Sequence, residues 1–144
     1  MAITATKLTV DTNATAMQMA EMMFGDGVTV LSASYAGDDL ASGIYTGGLE
    51  VSPDVVPADS GVILSTGKAT DFTNASGAAN QRPGTSTNLA NGIDGDADMN
   101  AIAGLPTYDA AFFDATFIPD GDTLTMQLVF SSEEYLEYVH SGYN

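Results

Sequence analysis

Four oxygen-bearing side chains alternate in the stretch NGIDGDADMNAIAG, residues 91–104: Asp94, Asp96, Asp98 and Asn100. In a turning loop that spacing aims several oxygens at one centre, the donor set from which Ca2+ collects about six to eight ligands. A strict EF-hand is excluded. Met99 stands where the loop glycine belongs and Leu105 where the bidentate glutamate belongs. The competing reading is a solvated acidic loop whose Asp98 caps a short helix beginning at Met99.

A second acidic group lies in FSSEEYLEYVHSGYN, residues 130–144, which carries Glu133, Glu134 and Glu137 among aromatics. Paired carboxylates about 5 to 9.5 Å apart across a glycosidic bond would make a glycan hydrolase. Successive residues of an extended strand point to opposite faces. Glu133 and Glu134 therefore make a poor catalytic pair, and fit better as one inward ligand and one solvated neighbour. Pairings of Glu133 with Glu137, or of Glu134 with an aspartate of the 94–98 loop, are not selected by anything in the sequence. His140 is the only histidine, in a polar, glycine-containing segment, and reads as exposed or lightly packed. No nucleophile elbow and no phosphate loop is present. The expected site is thus a metal site, Asp94, Asp96, Asp98, Asn100, Glu133 and Glu134, with Ca2+ as its cofactor. No catalytic residue is assigned and no enzyme is expected.

Charge narrows the partners. Lys7, Lys68 and Arg82 face nineteen acids, for a formal net charge of -16 in 144 residues. Such a surface repels phosphate backbones and anionic lipid, which puts nucleic acid and membrane surfaces at the bottom of the list, with no nucleic acid and no membrane insertion expected. It also repels itself, and a divalent cation held by clustered carboxylates relieves that locally; adaptation to a salty medium is the plainer account. There are no cysteines, hence no disulfide framework and no thiolate metal site. No apolar run approaches the roughly 20 residues needed to span a bilayer. The start, MAITATKLTVD, lacks the basic and apolar regions of a signal peptide. Secretion would then use another route, or follow trimming of a signal.

The elements that must position these residues read as mainly β. In DTNATAMQMAEMMFGDG, residues 11–27, Asp11, Thr12 or Asn13 offers a helix start and Gly25 a stop. Met17, Ala20, Met23 and Phe24 recur at helical spacing as its buried face. VTVLSASY (28–35), GIYTGG (43–48) and GVILSTG (61–67) have strand composition between turn residues. Residues 67–98 read as a long loop. AAFFDATFIPDGDTLTMQLVFSS, residues 110–132, reads as a hairpin. Phe113, Ala115 and Phe117 alternate on one arm, Leu124, Met126, Leu128 and Phe130 on the other, around Pro119-Asp120-Gly121-Asp122. The expected architecture is one domain over 1–144, an antiparallel, jelly-roll-like β-sandwich with one N-terminal helix packed on it. Of the six tyrosines, most read as half-buried strand residues, although tyrosine also stacks on sugar rings.

Taken in order, FGDGVTVLSASYAG, SGVILSTGKA, GDADMNAIAG and TYDAAFFDATFIPDGDTLTMQLVFSSEEYLEYV resemble the choice-of-anchor L domain of bacterial surface and secreted proteins. The likeness runs from about Thr12 onward, and its most specific part is the SSEEYLEYV block with the closing GYN. The resemblance implies an extracellular or cell-surface module of adhesive or structural type; a glycan or a surface protein is the ligand expected of such a module. It implies no activity and no catalytic residue. Where the family continues past this Tyr-Asn with an aspartate and further strands, this chain ends at Asn144. The expectation is a domain lacking its C-terminal strands, completed by a second chain or by a homo-oligomer, because open sheet edges invite strand addition. The main expectation is a Ca2+-stabilised adhesion module, and the alternative is a structural subunit of a larger extracellular assembly.

Overall fold

The computed structural model describes residues 7–73 and 89–132. Its elements run β1 (Thr9–Asp11), α1 (Ala16–Phe24), β2 (Val28–Ala36), β3 (Ser42–Thr46), α2 (Gly48–Val51), β4 (Gly61–Leu64), α3 (Ala97–Ala103) and β5 (Phe112–Pro119). The strands form two antiparallel sheets, one ordered β1-β3-β4 and the other a β2-β5 pair. The chain is therefore mixed, mostly strands with a few short helices. The expectation of a β-rich antiparallel fold with an N-terminal helix is met; α3 is the short helix that the competing reading of the acidic loop began at Met99, and α2 adds a helix that the sequence pattern did not separate from a strand end.

The helix entered from residues 11–25 begins later than its first candidate caps. Thr15 is the N-cap, and it forms a reciprocal box with Gln18 in which each side chain receives the other's backbone N–H. Starting at Ala16 shifts the buried stripe to Ala16, Met19, Ala20 and Met23, spaced i, i+3, i+4, i+7. Met19 and Ala20 are fully buried, whereas Met17, expected inside, is on the wet side of the first turn. At the far end Gly25 adopts φ 61 and donates its N–H to Glu21 O, a conformation that glycine takes without the Cβ penalty.

α1 packs on β2 of one sheet and on β3 and β4 of the other. The Phe24 ring meets Phe117 of β5 at a centroid distance of 4.5 Å and an angle of 40°, a tilted aromatic contact. Below the three-stranded sheet Leu8, Tyr45 and Val56 are buried, with Val10, Val51, Ile63 and Phe72 packed around them. Tyr45 fits because two glycines stand on either side of its ring. A Cβ at Gly48 would lie 2.7 Å from Tyr45 Cε2, and one at Gly61 2.8 Å from Cε1. The Tyr45 hydroxyl donates to Ala58 O at 3.2 Å, so the ring is buried without stranding its polar end. The entering chain is held by Thr73, whose Oγ1 accepts the Leu8 N–H at 2.8 Å in a buried position. The nearby Lys7–Asp71 pair at 3.3 Å is half exposed on the lysine side and contributes little.

The hairpin expectation is corrected. Its first arm is β5, but β5 pairs with β2, in register from Val28↔Pro119 to Ala36↔Phe112. The second arm, residues 124–130, forms no strand and is exposed throughout. The β2 sequence, uninterrupted and β-branched, offers β5 a long partner. The register shift between Val30 and Ser32 leaves Leu31 as the extra residue of a bulge, 54% exposed.

Two substitutions test this packing. Met19→Ala should lower unfolding free energy by about 2–5 kcal/mol in chemical denaturation. Gly48→Ala, which adds a methyl against Tyr45, Val56 and Ala58 O, should cost about 1–3 kcal/mol although alanine is ordinarily the better helix residue.

Candidate functional site

The acidic loop is built by its own side chains. Asp94 Oδ1 accepts the Asp109 N–H at 3.1 Å. Asp96, not Asp98, caps α3, its Oδ1 accepting from Asp98 N at 3.1 Å and Met99 N at 2.9 Å. The cap sits two residues earlier than expected because the helix starts at Ala97. Asn100 Oδ1 accepts both the Thr107 N–H at 2.6 Å and the Thr107 hydroxyl at 2.9 Å. Gly95 N donates to Thr107 O and Ala110 N to Ile93 O, so residues 93–95 lie antiparallel to 107–110 with α3 as the excursion between them. Asp98 is exposed in the first helical turn, where a negative charge meets the positive end of the helix dipole.

Three of the four candidate ligands in this loop thus satisfy local hydrogen-bond donors. Among the described residues no group of three or more Asp, Glu or His side chains converges as a metal cage. Glu133 and Glu134 lie outside the described residues, as do Glu137 and His140. The residues in view do not by themselves supply the oxygens that Ca2+ requires.

Two aspartates that sequence reasoning passed over are the buried ones. Asp38 is 5% exposed and Asp109 is 2% exposed. Asp38 follows β2 and joins two loops: Oδ1 accepts the Leu40 N–H and Oδ2 the Asn91 N–H, both at 2.9 Å. Its own carbonyl receives Ala41 N and the Tyr35 hydroxyl. The Leu40 and Asn91 N–H groups, with a smaller attraction from Lys68, hold its carboxyl below the ordinary aspartate value. Asp109 takes φ 53, a left-handed conformation that aspartate tolerates better than most residues. Its carboxylate lies where a Cβ of Gly92 would be, which is why a glycine is required there. Neither residue differs in pattern from the other acids. Only the turn context of Gly37-Asp38 and Tyr108-Asp109 hints at them.

Beside Asp38 opens a cleft of about 400 Å³, lined by Thr12, Asn13, Met19, Tyr35, Asp39 and Ser42 among others. Asp38 fixes the loop that carries Asp39, and Tyr35 is half-buried with its phenol raised above the ordinary value, first by burial, against the opposing effect of the Ser42 hydroxyl. Ser42 is itself buried. The cleft therefore combines an apolar part, Met19 and Tyr35, with hydroxyl, amide and carboxylate groups around it.

The Asp38 geometry has a pH signature. Its folded-state value lies below the unfolded value of about 3.9. The stabilisation is therefore complete above that value and is lost as pH falls through it toward the folded one. Asp38→Asn, which replaces an acceptor by an amide donor, should melt below the parent protein at pH 7, with the gap closing below about pH 4 in thermal scans.

No curated protein and no solved structure matches the chain, and among the described residues no helix is long and apolar enough to cross a membrane. The choice-of-anchor L domain, in contrast, matches residues 8–144. That span is nearly the entire sequence, and the chain accordingly belongs to the choice-of-anchor L domain family, which points to a surface-associated bacterial module.

Proposed function

We propose that this protein is a non-enzymatic extracellular module that makes adhesive contacts, taking a neutral sugar in the cleft beside Asp38. The observation that carries the reading is the cleft itself. The loop at its rim is fixed by backbone bonds to the buried Asp38 carboxylate, and an aromatic ring stands near hydroxyl, amide and carboxylate groups. A pyranose presents an apolar face and outward hydroxyls, which suits the half-buried Tyr35 ring together with Asp39, Asn13 and Thr12. The net charge of -16 disfavours anionic ligands.

Ca2+ enters this reading as a support for the acidic loop. Asp94 and Asp96 each spend Oδ1 on backbone N–H groups and keep a second oxygen. Those oxygens, with Asp98, Asn100, Glu133 and Glu134, are the ligand set we propose. A bound divalent ion would reduce the self-repulsion of the surface.

Two measurements separate the parts. NMR titration with a panel of neutral mono- and disaccharides should shift resonances of Tyr35 and Asp39. Asp39→Asn should weaken the best ligand about tenfold, the loss expected for a charged hydrogen bond; no shifts with any sugar would remove the glycan reading. Thermal melting with Ca2+ should exceed melting with chelator, by about 2.7 kcal/mol of added stability at a hundredfold excess over Kd, and the difference should vanish in Asp94→Asn combined with Asp96→Asn. An unchanged melting temperature on Ca2+ addition would remove the metal.

A further inference from the structure

The least explained feature of the surface is the segment TLTMQLVF, residues 123–130. Its side chains alternate in strand fashion, and it carries no charge between Asp122 and Glu133. Yet it is not a strand, and its apolar row faces water: Leu124 is 51% exposed, Met126 68%, Leu128 81% and Phe130 90%. Among the described residues none of its backbone groups bonds to a strand. An exposed apolar row joined to unpaired backbone is the composition of a donor strand.

An acceptor lies on the same chain. β5 pairs with β2 along one side, and among the described residues its other edge has no partner. A turn centred on Asp120-Gly121, the residue pair favoured at two-residue hairpin loops, sets the register of a strand added to that edge. Phe117 would face Leu124, Ala115 would face Met126 and Phe113 would face Leu128. The two apolar rows fall in phase, and the donor length of eight residues matches Phe112–Pro119. In the chain as folded this seam is not closed. Asp120 N donates to Gly27 O at 3.0 Å, and the chain leaves β5 without turning back onto it.

We infer that residues 123–130 pair with the open β5 edge of a second copy of this chain, in a reciprocal strand exchange. A swapped strand makes in the partner the contacts that a hairpin would make at home, so the in-phase register applies to the neighbour without change. The seam is almost uncharged, with Asp114 the one charged residue on either strand, so the copies meet where like-charge repulsion is least. Burying each large apolar side chain removes on the order of 60–120 Å² from water. Leu124, Met126, Leu128 and Phe130 on the donor with Phe113 and Phe117 on the acceptor are twelve side chains in two copies, or on the order of 700–1,400 Å², which reaches the lower end of the range of stable specific interfaces. The rest of the surface, at net -16, opposes the encounter at long range. Association should therefore strengthen with salt, as the screening length falls from about 10 Å at 0.1 M to about 3 Å at 1 M.

The experiment uses the full chain, which has no native cysteine. Sedimentation and light scattering between about 0.05 and 1 M NaCl should show monomer giving way to dimer, with the dimer constant rising at least about tenfold. Leu128→Lys should leave a monomer at all salt concentrations with an unchanged melting temperature, since the side chain it replaces is exposed in the single chain. In the double variant Ala115→Cys with Met126→Cys, oxidation at high salt should yield covalent dimers on a non-reducing gel. A parent chain that stays monomeric at high salt and millimolar concentration overturns the inference. So does a disulfide formed within one chain, or a Leu128→Lys protein that melts lower at unchanged mass, since either outcome places the strand on its own β5. The cleft is not involved, and Asp39→Asn should dimerise like the parent.

Discussion

Neither sheet of this protein is large enough to stand alone, and α1 is what makes them one fold. A two-stranded ribbon is marginal in water, and three short strands need a packed face to persist. α1 buries Met19 and Ala20 while touching both sheets, and Phe24 adds the aromatic contact to Phe117. Everything described at the loop end depends on this arrangement. β2 ends two residues before Asp38, and the cleft is lined in part by the residues that lead into the helix.

A second regularity is the use to which the acids are put. With three basic residues against nineteen acids, ion pairs cannot neutralise the surface. The aspartates that shape the loops bond to backbone N–H groups: Asp38 to Leu40 and Asn91, Asp94 to Asp109, Asp96 to the first turn of α3. These bonds are short-ranged and directional, so they order loops without requiring a matching cation. The acidic stretch 91–104 looks like a ligand set in the sequence because the same spacing that turns carboxylates toward a metal also turns them toward the amides of a tight turn.

Much of the scaffold was legible because it rests on local chemistry. The strands near 28–35, 43–48 and 61–67 followed from β-branched runs between turn residues, and the helix followed from its periodicity and Gly25. What failed was non-local. The Thr15 cap displaced three other candidates because its Gln18 partner completes a box, which fixes the helical phase and puts Met19 rather than Met17 inside. The hairpin misled because two stretches, β2 and residues 124–130, are patterned to pair with β5, and pattern alone does not say which one it takes. Asp38 and Asp109 were illegible for a simpler reason: burial of one acid among nineteen depends on the turns around it.

The Tyr45 ring held between Gly48 and Gly61 constrains how this sequence is able to drift. A side chain at Gly61 needs a smaller residue at 45, one at Gly48 must clear Val56 and the Ala58 carbonyl as well, and a smaller residue at 45 leaves a void over Val56. The three positions are consequently locked to one another, and a workable change must alter them jointly. The exposed acids carry no such coupling and are able to vary one at a time. Substitution is thus most costly in the interior around one aromatic ring and least costly on the outer face.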